Sequence, residues 1–240
     1  MIDVVGVSKT FGSLTVLNGL DLSVRPGRVT AVVGPNAAGK TTLIKIMLGL
    51  THPDRGRIMF DGRPTTPDGA WRARIGYMPQ IARFPENLSA RHLLELLTRL
   101  RGTGGGTGAA PDETLIHLLG LEPQLDKPLR TLSGGTRQKV NAVMAFLFAP
   151  DVMILDEPTA GLDPISSSIL KDKIALERAG GRTVVIASHI MSELEELADD
   201  VAVLLDGKVR FAGPLDELKR RTHQVNLERA IAQLMIREAA

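Results

Sequence analysis

The chain contains no cysteine, which excludes disulfides and thiolate metal sites and fits a reducing compartment. Neither sign of charge prevails: 29 Lys and Arg face 27 Asp and Glu, for a net charge of +2. A balance that close argues against a strongly acidic partner, and no nucleic-acid binding is expected. No apolar run approaches the roughly 18 to 20 residues needed to cross a bilayer. The N terminus, Met1-Ile2-Asp3-Val4, lacks the basic and then apolar regions of a signal peptide. The expectation is a soluble, cytoplasmic chain.

What is present suits one large domain, or one with a subdomain: 240 residues, 43% hydrophobic and 23% charged. Short β-branched runs alternate with helical patterns, the mark of an α/β fold with a mostly parallel sheet. Strands are predicted at 29–33, 57–60, 75–78, 152–155, 183–187 and 201–205. A hairpin through Asp206-Gly207 leads to a further strand at 208–212. Runs at 2–7 and 20–24 suggest a small antiparallel region. Between 82 and 150 the texture turns helical. Ser89 can cap a helix whose apolar face holds Leu93, Leu94, Leu96, Leu97 and Leu100. A second helix follows Pro111 with Leu115, Ile116, Leu118 and Leu119 inward, and a third runs from Ser133 to about Ala149. Five glycines within 102–108 read as a flexible connector. The expected layout is an α/β core at 1–81 and 151–213, an inserted helical subdomain at 82–150 and a helical tail at 214–240.

Two motifs carry chemistry. Gly34-Pro35-Asn36-Ala37-Ala38-Gly39-Lys40-Thr41 fits the phosphate-binding pattern G-x-x-x-x-G-K-[ST]. The strand at 29–33 precedes it and a helix expected at 41–50 follows, so backbone N–H groups and a helix N terminus converge on anionic phosphates. Lys40 would reach the β- and γ-phosphates, and the Thr41 hydroxyl would ligate Mg²⁺. Further on, a buried strand ends in Asp156-Glu157. Asp156 would hold Mg²⁺, directly or through water, and Glu157 would orient and deprotonate the attacking water.

The run Leu132-Ser133-Gly134-Gly135-Thr136-Arg137-Gln138 resembles the signature motif of the ABC ATPases and lies where that family carries it, just before the Asp156 strand. By itself, Ser-Gly-Gly opening a helix is a second anion-binding terminus. The resemblance spans about 2–213 and implies further roles. Phe11 resembles the aromatic that stacks on adenine; its alternative is a core aromatic. Gln80, in Tyr77-Met78-Pro79-Gln80, resembles the glutamine that senses Mg²⁺ and the attacking water. Asp163 matches the loop that reaches a partner subunit, and His189 resembles the histidine that contacts the γ-phosphate. Thr42 completes the ATP-binding loop. The resemblance also implies two subunits facing head to tail. ATP then lies between the phosphate loop of one and the Ser133-Gly134-Gly135 helix of the other, and a homodimer is the simpler expectation. Two departures from the family are Ala37 and Thr136, where Gly and Gln are usual. Ala37 would be modestly strained if its φ is positive.

Residues 34–42, 77–88 and 132–140 resemble the ATPase subunits of bacterial ABC-2-type exporters, with a weaker similarity to ATPases associated with copper-enzyme maturation. Both imply an ATP-hydrolysing subunit, peripheral on the cytoplasmic face of the membrane, working with a separate transmembrane permease. Ile81, Ala82 and Phe84 would help to receive a helix of that permease. The competing classes are a soluble ABC ATPase acting on DNA or ribosomes and a regulatory subunit that binds ATP without hydrolysis. In the tail, 217–221 reads as a solvated charged face, and 227–236 as a segment packed on the core or extending a dimer contact.

Overall fold

The computed structural model describes residues 2–103 and 110–239. The glycine-rich connector falls outside that range from residue 104 onward. In chain order the first elements are β1 (Ile2–Phe11), β2 (Leu14–Val24), β3 (Val29–Val33), α1 (Lys40–Met47), β4 (Arg55–Phe60), β5 (Arg63–Pro64) and β6 (Ile75–Met78). Then come α2 (Ala90–Thr103), α3 (Thr114–Leu118), α4 (Gly134–Phe146), β7 (Val152–Asp156) and α5 (Pro164–Ala179). The last are β8 (Thr183–Ala187), α6 (Met191–Leu197), β9 (Asp200–Leu205), β10 (Lys208–Pro214), α7 (Leu215–Thr222) and α8 (Leu227–Ala239). The chain forms two compact units, one of Met1–Arg72 with Glu177–Ala240, the other of Ala73–Leu176.

In the first unit β3 pairs in parallel with β8 on one side and β9 on the other, and β10 returns antiparallel to β9. Every residue of β3 and β8 is buried, which explains their largely β-branched sequences: a parallel strand covered on both faces has no polar side to show. The turn into β10 uses Asp206 and Gly207 at φ 49° and 70°, as a two-residue hairpin of matching twist requires. The antiparallel sheet, ordered β2-β1-β4-β5, is larger than the sequence suggests. β1 and β2 run well past 2–7 and 20–24, because register shifts between Val4 and Val7 and between Val7 and Lys9 break the alternation that would mark the longer strands. The buried Asp200 at the start of β9 is held by Arg25 and by Arg28 Nε at 2.9 Å. The tail packs on its own unit through Leu215, Leu218, Leu227, Ala230 and Ile231. Its charged run is paired: Lys219 with Glu195, and Arg221 with Glu217.

In the second unit β6 and β7 are parallel, with Met78 beside Leu155. α4 lies on β6 at close range: a Cβ on Gly76 would come within 2.1 Å of the Ala145 carbonyl oxygen. That contact admits no side chain. Lys173 of α5, itself buried, bonds Asp112 ahead of α3 at 2.6 Å. Some expected core leucines lie outside. Leu93 is buried, but Leu96 and Leu100 are exposed, although Leu100, two turns on, lies on the same side of the helix as Leu93. Likewise Leu115, Ile116 and Leu119 are buried while Leu118 is not. α4 stops at Phe146, short of the expected Ala149, which has turned to φ 45°.

Candidate functional site

The expected site residues are divided between the two units. In the first, β3 runs straight into Gly34-Pro35-Asn36-Ala37-Ala38-Gly39 and then α1. The loop needs its glycines: a Cβ at Gly34 would lie 2.3 Å from the Leu204 carbonyl oxygen, and at Gly39 it would meet Leu17 Cδ2 at 2.6 Å. Ala37 adopts φ 64°, so the departure expected to carry strain does sit in the left-handed region. α1 starts with no side-chain cap and no acidic residue in its first turn. A helix start without a side-chain cap or an acidic first turn is of the kind that suits an anion. Lys40 Nζ arches back over the loop, donating to the Gly34 carbonyl at 2.7 Å and the Pro35 carbonyl at 3.0 Å. Thr41 is exposed beside it and Thr42 is half-buried.

His189 reaches the same end of the sheet. Val32 of β3 is aligned with Ala187 of β8, so Gly34 and His189 each lie two residues beyond a paired position at the carboxyl edge of parallel strands, where α/β proteins bind ligands. Ser188 braces the turn, its hydroxyl accepting from the Ile190 N–H at 3.1 Å. Phe11 closes β1 opposite Leu14 and is 52% exposed, with the Lys9 ammonium 5.4 Å above its ring. That exposure removes the alternative of a core aromatic.

In the second unit the parallel register does the same work. One residue past the Met78–Leu155 pair stand Pro79 and Asp156, and two past it Gln80 and Glu157. Asp156 and Glu157 are buried, and Gln80 is exposed. Glu157 holds φ 50°, an uncommon conformation for a residue with a side chain and one that persists only where the surroundings enforce it. Tyr77 lies close enough that burial, and then the Asp156 carboxylate, push its hydroxyl pKa up.

α4 begins where the sequence expects, but its N terminus is occupied by its own cap. Ser133 Oγ accepts from the Thr136 N–H at 3.2 Å and pairs with the Thr136 hydroxyl at 2.8 Å. Leu132 is buried, whereas Ser133 and Gly134 are exposed. A Cβ on Gly135 would lie 2.9 Å from the Gly161 carbonyl. Asp163 caps α5 ahead of Pro164, taking Ser166 N–H at 2.9 Å and Ser166 Oγ at 2.7 Å. Lys139 of α4 reaches it at 3.2 Å. The Ser166 bonds, and then Lys139, hold the Asp163 carboxyl far below the usual carboxylate range.

Sequence reasoning missed three residues that this helix aims at the surrounding loops: Gln138, Lys139 and Asn141. Asn141 Nδ2 donates to the Pro79 carbonyl at 2.8 Å, and Gln138 Nε2 lies 3.4 Å from the Glu157 carbonyl and 3.3 Å from that of Pro158. The available signal was a pair of amides three residues apart on a helix that is otherwise apolar inward, since amides at that spacing share a face and need partners.

Among the described residues no group of three or more His, Cys, Asp or Glu could hold a metal by itself. Each unit carries an oxygen donor of the type that Mg²⁺ takes, the Thr41 hydroxyl in the first and the Asp156 carboxylate in the second; Mg²⁺ keeps waters and shares phosphate oxygens rather than filling an all-protein cage.

A strand-fed phosphate loop and a strand ending in paired carboxylates, on parallel α/β architecture, define a nucleoside-triphosphate-hydrolysing protein. The ABC transporter family model matches residues 17–160, a span holding the phosphate loop, Gln80, the Ser133 helix and both carboxylates. The chain is 34% identical over 230 residues to Nod factor export ATP-binding protein I of Ralstonia nicotianae, covering 95% of this chain and 71% of that one. It is 38% identical over 222 residues to a daunorubicin resistance ATP-binding protein of Streptomyces coeruleorubidus, covering 92% and 70%. Among solved structures, an ATP-binding subunit of an ABC transporter superposes with a TM-score of 0.88 at 29% identity, over 98% of this chain and 99% of that one. A dimeric bacterial ABC transporter cassette gives 0.78 at 25% identity, over 90% and 99%. The chain therefore belongs to the ABC transporter ATP-binding family, and it is an ATPase.

Proposed function

We propose that this ATPase drives export through a separate membrane-spanning subunit, working as a pair of chains on the cytoplasmic face of the membrane. The observation that carries the reading is a second glycine-rich helix start in the same chain, exposed at Ser133 and Gly134 and closed by its own cap, while only the N terminus of α1 is built into a phosphate loop. A second terminus without its own loop has a use when it completes the site of another copy. Among the described residues no helix is long and apolar enough to cross a membrane, and this reading assigns the pore to a separate polypeptide. The exposed Ile81, next to Gln80, gives a helix of that subunit an apolar contact. The direction of transport is drawn from the similarity to the Nod factor export and daunorubicin resistance proteins.

In this reading the backbone of Gly34–Gly39 and the start of α1 bind the phosphates, with Lys40 on the β- and γ-phosphoryl oxygens and Phe11 against the adenine. As the family resemblance implies, Thr41, Asp156 and Gln80 would hold Mg²⁺, which would supply neutralisation of the charge on the phosphate oxygens. Glu157 takes the proton of the attacking water, Gln80 orients that water, and His189 steadies the γ-phosphate. Ser133, Gly134, Gly135 and Thr136 contribute to the nucleotide of the other copy, and Asp163 lies at the contact between copies. Closure on ATP followed by reopening after hydrolysis is the power stroke.

The test is purification of the Glu157→Gln protein with ATP from detergent-solubilised native membranes. Recovery of a multi-span membrane protein is expected. Recovery of only ribosomes, DNA or soluble protein would overturn the transport reading in favour of a soluble ABC ATPase.

A further inference from the structure

α4 buries two amides that packing alone does not call for. Asn141 is 3% exposed and Gln138 7%, while Val140, Ala142, Val143, Ala145 and Phe146 supply apolar surface around them. A buried amide without partners is costly, so such a pair persists where its hydrogen bonds are made. Here they form one chain of contacts. The Pro79 carbonyl accepts from Asn141 Nδ2 at 2.8 Å, the same nitrogen lies 3.4 Å from Gln138 Oε1, and Gln138 Nε2 faces the carbonyls of Glu157 and Pro158.

The identity of the bonded carbonyls matters. Pro79 O belongs to the peptide unit that leads into Gln80, and Glu157 O to the unit that follows the strained Glu157. The loops after β6 and β7 are thus pinned to adjacent positions on one helix, at the two residues assigned to the attacking water. Helical spacing puts positions 138 and 141 on one face, about 5 to 6 Å apart. α4 itself cannot drift from β6, because Gly76 brings the two backbones into contact.

Resting on the assignment of Gln80 and Glu157 under the proposed function, we infer that the Gln138–Asn141 amide pair is a positioning clamp that fixes these two residues relative to each other. Neither amide touches the reacting atoms. Asn141 acts through Gln80 and Gln138 through Glu157, and because both stand on the helix that Ser133 caps, a load on its N terminus is felt at the water-orienting pair.

The experiment is steady-state phosphate release by the full chain against ATP concentration for Asn141→Ala, Gln80→Ala and the double variant. Asn141→Ala should lower kcat roughly tenfold to hundredfold, as expected when a water-orienting group is misplaced by a fraction of an ångström to an ångström, with KM for ATP little changed. In the Gln80→Ala background the same substitution should change kcat by no more than about twofold, since the group it positions is gone. Should Asn141→Ala fold poorly, Asn141→Ser keeps a small polar side chain that does not span to Pro79, and the same pattern is expected. The clamp is overturned if Asn141→Ala leaves kcat near wild type, or if its full effect survives in the Gln80→Ala background, as a merely structural role would give. Wild-type turnover in Gln80→Ala alone would instead refute the assignment of Gln80, and the clamp with it.

Discussion

The N termini of α1 and α4 both open on glycine-rich turns, yet they are built in opposite ways. At α1 nothing caps the helix, the loop before it tolerates no Cβ at Gly34 or Gly39, Ala37 is held at positive φ, and Lys40 folds over the loop carbonyls. At α4 the cap is made by Ser133, and the first turns are tied to the loops around them by Gln138, Lys139 and Asn141. The first is a loop shaped as a cradle ahead of an uncapped helix. The second is a finished helix that lends an exposed tip. Under the proposed function, one binds nucleotide within its own chain, and the other reports on nucleotide brought to it.

The catalytic step lies outside that contrast, and removing it isolates the two termini. Glu157→Gln keeps the shape and loses the base, so steady-state turnover should fall roughly a thousandfold, in the range that general-base removal gives, while ATP affinity stays near wild type; phosphate release and equilibrium binding measure the two. Unchanged turnover would remove Glu157 as the base. Next in size, Lys40→Met should weaken ATP binding roughly tenfold to hundredfold, the worth of charge-assisted hydrogen bonds; the same binding assay on the isolated chain decides whether α1 is the cradle.

Smaller effects separate the two termini further. Ala37→Gly should raise stability by about 0.5 kcal/mol, as the relief of left-handed strain outweighs the entropy added to the unfolded chain; the thermal midpoint reads it. The α4 side should respond to acid instead. The folded-state pKa of Asp163 is depressed, so its contribution is present above the ordinary carboxylate pKa of about 4 and fades as pH falls toward the depressed value. Asp163→Asn keeps a good cap but gives up the charge next to Lys139, so its thermal midpoint should lie below wild type near neutrality and converge with it in acid. A constant gap across pH would contradict that cause.

The cradle was legible in the sequence because it is local: β3, the glycine pattern and α1 are consecutive, and the buried runs at Val29–Val33 and Thr183–Ala187 carry no polar residue on a solvent face. Asp156 and Glu157 were legible for the same reason, at the end of an apolar strand. What escaped was long-range. The partners of Asn141 and Gln138 are backbone carbonyls 62 and about 20 residues away, and carbonyls leave no mark in a sequence. Bulges concealed the length of β1, and the helical spacing of Leu96 and Leu100 gave no sign that both stand exposed. The positive φ of Glu157 had no sequence signal, since a glutamate is not the residue that conformation favours.

The division of labour between the two termini is tested most directly by the oligomeric state of the Glu157→Gln protein in ATP, with and without Ser133→Arg. Ser133 is exposed, so arginine there should leave ATP binding to the single chain intact while abolishing the ATP-dependent dimer that light scattering is expected to show for Glu157→Gln alone. A dimer that forms equally well with the Ser133→Arg substitution, or ATP affinity that falls along with dimer formation, would contradict the assignment of α4 to the nucleotide of a second copy.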